Sequence, residues 1–153
     1  TWLRRQRQMC IRDRYYGDES ARSLVIEGTQ GDATLRSFMN WDAVKSDNKT
    51  KEVLEHWQKL GKFRERHPAI GAGAHQMITQ EPYLFYRSYY QGDFKDLVVI
   101  GLDLNKGEKN IDVSKIFEEG TVLRDAYSGE TATVKNGKIT INSDFNIVLI
   151  EKE

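Results

Sequence analysis

Cysteine is almost absent from this sequence. Cys10 is the single one in 153 residues, so no internal disulfide can form, and the redox compartment stays open. Net charge is absent too, with 23 basic and 23 acidic side chains. No apolar run approaches the ~20 residues of a membrane-spanning helix. The first residues are charged but lead into no apolar core, so nothing reads as a secretory signal. The three histidines, His56, His67 and His75, have no metal-ligand spacing, and each is expected to cap a helix or lie on the surface. Asp93, Asp96 and Asp103 do not form an EF-hand loop, so no metal is assigned. The length suits one ordinary domain, or a small domain plus a piece of another, with enough chain to bury a core without staples.

The charge that is present is unevenly placed. Residues 1–14 hold five arginines and one acid, which leaves 18 basic and 22 acidic side chains for the rest. A basic arm of this kind could grip a phosphate backbone, but no second basic patch follows it. The run "RQRQMCIRDR", Arg5–Arg14, resembles translated sequencing-adapter DNA. On that reading residues 1–14 are an unstructured artefact to be set aside, Cys10 with them, and the nucleic-acid reading falls.

"YYGDE" at Tyr15–Glu19 reads as a strand end entering a turn at Gly17. Residues 20–48 read as a long polar loop, a length that in compact domains goes with function or with packing on something larger. Val53, Trp57, Leu60 and Phe63 recur at helical spacing and predict a helix over 49–66. Asp47 and Asn48 are its caps, and Pro68 forces it to stop near Arg66. "GAGA" at Gly71–Ala74 reads as a flexible link.

From His75 onward short strands are predicted near 75–79, 83–90, 97–105, 109–114, 121–126, 131–135, 139–142 and 145–152, with turn signals about every ten residues. Asn136-Gly137 is the strongest of these, since a two-residue primed turn needs positive φ at both positions. Leu97–Leu104 is the most continuously apolar stretch and predicts a central strand. The expected fold is mainly β, an antiparallel Greek-key β-sandwich over 75–153. The residues ahead of it cannot enclose a core alone and look cut from something larger.

Three motifs then line up. "YYGDE" resembles the end of the eighth barrel strand in the α-amylase family of glycoside hydrolases, family 13. "DATLRSFMNWD", Asp32–Asp42, is similar to that family's Asp-x-x-x-Arg-x-Pro-Met-x-Trp segment through Asp32, Arg36, Met39 and Trp41, with Phe38 in the proline's place. "LEHWQKLGKFRERHPAIGAG", Leu54–Gly73, resembles the last barrel helix and its exit, and the β-rich remainder the family's domain C. Their order and spacing are more specific than any one of them, and the likeness runs from Tyr15 to the C-terminus. The resemblance implies that 15–74 is the end of a TIM-type (β/α) catalytic barrel and 75–153 is domain C. Family members carry apolar residues before the paired tyrosines. Asp13-Arg14 stands here instead, and a charged pair cannot continue a barrel strand buried on both faces.

The resemblance implies a bacterial parent that hydrolyses α-1,4-glucosidic bonds of starch and maltooligosaccharides with retention. It also implies that the catalytic carboxylates lie upstream of this sequence, so that the chain alone is inactive and structural. Asp18 and Glu19 are the tempting pair, but neighbouring strand residues point to opposite faces and cannot bracket one bond; turn formation accounts for them. Arg36, with Asp32, is the substrate-binding candidate, because a guanidinium fork can hold sugar hydroxyls or orient a carboxylate. The competing role is an Arg36–Asp32 ion pair that holds the loop. Met39 and Trp41 are expected to be packing anchors. Calcium is common in the family, with ligands generally from parts outside this sequence, so no cofactor is assigned here.

The aromatic cluster Tyr83, Phe85, Tyr86, Tyr89, Tyr90 and Phe94 could dock sugar rings, but one face of that strand should line the sandwich and the other the helix. The alternative reading of the chain is a non-catalytic carbohydrate-binding β-sandwich, which would not need residues 15–66. Expected partners are an α-glucan and the missing barrel half, with neither nucleic acid nor membrane. The resemblance favours a periplasmic or extracellular location. An unpartnered apolar helix stripe would promote aggregation.

Overall fold

The computed structural model describes residues 15–23 and 25–153; the adapter-like run and Cys10 lie outside them. The chain divides between Gln58 and Lys59 into two compact units, each described by itself.

In the first unit, Tyr15–Ser20 is a turn followed by a 3-10 helix over Asp18–Ser20. This replaces the strand end expected at Tyr15–Glu19, and any strand leading into it lies outside the described residues. The expected long loop is not structureless either. A second 3-10 helix spans Gly31–Arg36, and a short α-helix, α1, spans Trp41–Ser46. The long helix α2 covers Asn48–Arg66, one residue more than its spacing predicts. Asp47 starts it by accepting the Thr50 amide at 2.7 Å, the bond of an N-cap. All the buried apolar side chains among the described residues lie from Phe63 onward, so the first unit has no apolar core of its own.

In the second unit α2 ends at Arg66, and Pro68 opens α3, Pro68–Ala72, where its fixed φ and missing amide hydrogen are harmless. The "GAGA" segment is therefore not a flexible link: its first half finishes α3 and Ala74 begins β1. The strands are β1 Ala74–Thr79, β2 Tyr83–Gln91, β3 Phe94–Leu102, β4 Gly107–Asp112, β5 Val122–Asp125, β6 Thr131–Thr133, β7 Lys138–Ser143 and β8 Val148–Lys152. Six form one sheet in the order β1-β2-β3-β8-β5-β6, and β4 pairs with β7. Every pairing is antiparallel. The return of β8 to lie between β3 and β5 gives the Greek-key character. The Asn136-Gly137 turn has φ of 52° and 71°, as a primed turn requires. Beyond the single bridge Lys135–Lys138, however, its flanking strands part into different sheets.

The apolar pattern of each strand decides which layer it serves. Leu84, Val99, Ile111, Leu123, Ile139 and Ile150 meet in the core between the six-stranded sheet and the β4–β7 ribbon. Val98, Ile100 and Leu149 face the other way and pack with Phe63 and Ala69. β3 is thus covered on both faces, which is why its sequence is apolar without alternation. Lys109 departs from the pattern. It is buried on the ribbon, and its ammonium donates to Gly107 O, Ser143 O and Ser143 Oγ at 3.0, 2.5 and 3.1 Å, which uses all three of its hydrogens. No helix among the described residues is long and apolar enough to cross a membrane.

Candidate functional site

Asp32 and Arg36 lie on the same 3-10 helix and both are exposed. Among the described residues no ion pair joins them. Residues four apart on a helix with three residues per turn point about 120° away from each other, which explains the missing pair. The loop is held by Arg22, which the sequence did not single out. The residue is buried, and its guanidinium donates to Tyr16 O, Leu35 O and Ser37 O, each at 3.1 Å, and to Ser37 Oγ. Its Cζ lies 4.1 Å from the Tyr16 ring centroid, a cation–π contact. Tyr16 Oη donates to Ser37 O at 2.9 Å, and Asn40 Nδ2 to Ser20 O at 2.8 Å.

Gly17 makes this knot possible. Its φ is +88°, and a Cβ there would fall 2.4 Å from Arg22 Nε. The result is a tied loop that presents Asp32 and Arg36 to solvent. Asp18 and Glu19 serve the turn: their carboxylates accept the Tyr15 and Gly17 amides at 3.0 and 3.2 Å. A small cleft of about 270 Å³ opens beside them, lined also by Leu54 and Trp57. Met39 is half-buried, whereas Trp41 is 62% exposed and not the packing anchor expected.

The second unit narrows the reading of His67, which stands at the N-cap position of α3. It is no surface residue: its side chain is 13% exposed, with Nδ1 2.8 Å from Asp96 Oδ1 and Nε2 2.6 Å from Glu151 Oε2. Arg66 adds two bonds from Nη2 to Glu151, at 3.0 and 2.9 Å. Burial pushes the Glu151 carboxyl up, but the hydrogen bonds and charges of His67 and Arg66 outweigh it and hold the group below its ordinary value. Asp96 Oδ2 accepts the Ala69 amide at 2.9 Å, and Arg87 donates to Ala69 O and Gly73 O at 2.8 and 2.6 Å. The five-residue helix α3 is thus capped at both ends by strands. No spacing signal in the sequence could reveal a cluster whose members stand 29 and 84 residues apart.

The aromatic cluster divides by face as the alternation predicts. Tyr86 packs against the sandwich core, and Phe85 and Tyr89 against the helix-side cluster. His75 lies against Phe85 and accepts or donates a bond with Tyr83 Oη at 3.1 Å. Tyr90 and Phe94 are the exposed members. Tyr90 pairs with Lys95 and Phe94 with Gln91 across the hairpin, so their rings lie on opposite faces and make no common platform. Among the described residues no group of three or more histidine, cysteine or carboxylate side chains is placed to hold a metal ion.

No family model matches the chain. Over 86 residues it is 43% identical to the periplasmic α-amylase of Escherichia coli (strain K12), covering 56% of this chain and 12% of that protein. Over 138 residues it is 28% identical to an amylopullulanase of Thermoanaerobacter thermohydrosulfuricus, covering 83% of this chain and 9% of that one. The chain thus spans about a tenth of the length of these relatives. In fold it is similar to an Anoxybacillus α-amylase, with a TM-score of 0.60 and 23% identity over 90% of this chain and 28% of that one. It is also similar to AmyP E221Q in complex with maltotriose, with a TM-score of 0.56 and 16% identity over 84% of this chain and 29% of that one. Sequence and fold agree: the chain is similar to α-amylases, and it matches only part of the length of those proteins.

Proposed function

We propose that this chain is the C-terminal part of an α-amylase-type glycoside hydrolase. Its parent cleaves α-1,4-glucosidic bonds of starch and maltooligosaccharides with retention, through a glycosyl-enzyme intermediate held between two carboxyl groups roughly 5–5.5 Å apart. The observation that carries this reading is the 43% identity to a periplasmic α-amylase, supported by a fold likeness to α-amylase structures. Residues 15–74 form the end of the barrel and 75–153 its domain C. The role of the chain itself is structural: α2 closes the barrel and the sandwich shields it. A periplasmic or extracellular location goes with the name of the Escherichia coli relative.

Within that reading Arg36 and Asp32 contact the glucan, and Arg22 positions them. Exposure of both side chains on a loop tied by Arg22 supports the assignment. Any calcium belongs to the remainder of the parent. Two measurements test the proposal. The purified chain, incubated with soluble starch or maltooligosaccharide, is expected to release no reducing ends above a blank; turnover would refute the reading that the catalytic carboxylates belong to the remainder of the parent. In the longer enzyme, Arg36→Ala is expected to raise KM for maltooligosaccharide without unfolding the protein, and an unchanged KM removes Arg36 from the substrate site.

A further inference from the structure

The core face of the six-stranded sheet carries two lysines where β3 begins and β8 ends. Alternation puts Lys95, Leu97 and Val99 on one face of β3, and Val99 belongs to the sandwich core. Lys152 on β8 is paired with Leu123 on β5, so it shares the face of that fully buried residue. From the connection between β4 and β5, Ile116 and Phe117 are half-buried and pack against the same core. These residues enclose a cleft of about 440 Å³, a size in the range of small-molecule sites. Leu97, Ile116 and Phe117 give it an apolar lining, and the exposed Lys95 and Lys152 stand at its edge.

Among the described residues neither lysine has an ion pair. Lys95 Nζ lies 5.9 Å from the Tyr90 ring centroid, at the outer limit of a cation–π contact. The two acids that also line the cleft do not neutralise the lysines. Asp96 is engaged by His67 on one oxygen and by the Ala69 amide on the other, and Glu118 makes no ion pair with either lysine. Lysine stems lie along apolar surface and deliver their charge at its margin. An apolar lining edged by two unpaired ammoniums suits a ligand with an apolar body and one anionic end. We propose that this cleft binds a small organic carboxylate, with its body on Leu97, Ile116 and Phe117 and its carboxylate received by Lys95 and Lys152. A carboxylate accepts charge-assisted hydrogen bonds from both ammoniums at once. A neutral glucan would leave both charges unused, so this site is separate from any glucan contact, and the inference does not depend on the hydrolase reading.

The test titrates hydrocinnamate into the 153-residue chain and follows the backbone amides by nitrogen-15 NMR. Saturable shifts are expected at Leu97, Phe117 and Lys152 and their neighbours. Hydrocinnamyl alcohol, the same body without the charge, is expected to bind about fivefold more weakly or worse, and Lys95→Met and Lys152→Met each to weaken hydrocinnamate about two- to fivefold, the range of an exposed charge pair. Maltotriose is expected not to displace it. Equal affinity for acid and alcohol, unchanged affinity in the double variant, or saturable shifts located elsewhere would overturn the proposal. Displacement by inorganic phosphate at matched concentration would overturn it too, since it would show that the apolar lining adds nothing. If a variant does not fold, the comparison of acid, alcohol and phosphate on the unaltered chain decides.

Discussion

Asp125 is fully buried, yet its carboxylate lacks no partner. It accepts the amides of Tyr127, Ser128 and Leu149 at 3.1, 3.3 and 2.8 Å and the Ser128 hydroxyl at 2.5 Å. One side chain thus shapes the turn after β5 and ties it to β8. Asp125→Ala strands three amides and a hydroxyl, and urea denaturation of the chain should show a loss of about 3 kcal/mol or more; a loss under about 1 kcal/mol would mean that water replaces the carboxylate. Glu151 contributes to stability on the acid side. Its carboxyl is held below the ordinary value of 4.5, so its stabilising contribution is present above that pH and disappears as pH falls through the lowered value. Glu151→Gln should flatten the acid limb of stability against pH, and an unchanged limb would assign it to other carboxyls. Neither role is legible in the sequence, where Asp125 and Glu151 look like ordinary acids of a charged surface.

Among the elements, α3 shows most clearly how sequence and tertiary structure divide the work. Pro68 dictates where α2 stops and permits a new first turn, and that much follows from local geometry. Five residues cannot hold a helix in water; α3 exists because Asp96 and Arg87 cap it from two strands. Gly73 ends it in a space with no room for a side chain, since a Cβ would lie 2.6 Å from Ala69 O and 2.7 Å from Ser88 O. Both obstacles are backbone, so Gly73→Ala should cost about 1–3 kcal/mol as an overpacking change, measured by thermal or chemical melts. A neutral result would show that α3 can shift away from β2. The strands were the most readable elements, because β7 and β8 carry alternation or continuous apolar runs that fit one sheet position each. The short helix Trp41–Ser46 and both 3-10 helices leave no signal in the sequence because each is too brief to show a period.

For the whole molecule, the contrast between the two units is the main physical fact. The second encloses two apolar clusters around one sheet. Among its described residues the first buries Gly17, Ser20, Arg22 and Thr50, while Phe38 is 96% and Val25 86% exposed. A segment stabilised by polar ties and little apolar burial opens at low free-energy cost. Limited proteolysis of the chain should therefore cut first within 21–40 and leave a body that retains 59–153, identified by mass spectrometry. Arg22→Ala should speed that first cut by removing the ties to Leu35 and Ser37. First cleavage inside the strands would contradict this order of stability.

The sequence by itself determined the β-sandwich, its strand positions, the long helix and the family likeness. Those features rest on periodicity, turn chemistry and short motifs, which are local quantities. It also placed Asp32 and Arg36 in one loop, but not what fixes that loop. Only the tertiary structure could bring Arg22 under Tyr16 and against Ser37, or close His67 between Asp96 and Glu151. Such contacts depend on which residues the fold carries into one buried place, where a polar group must find partners or raise the energy of the folded state.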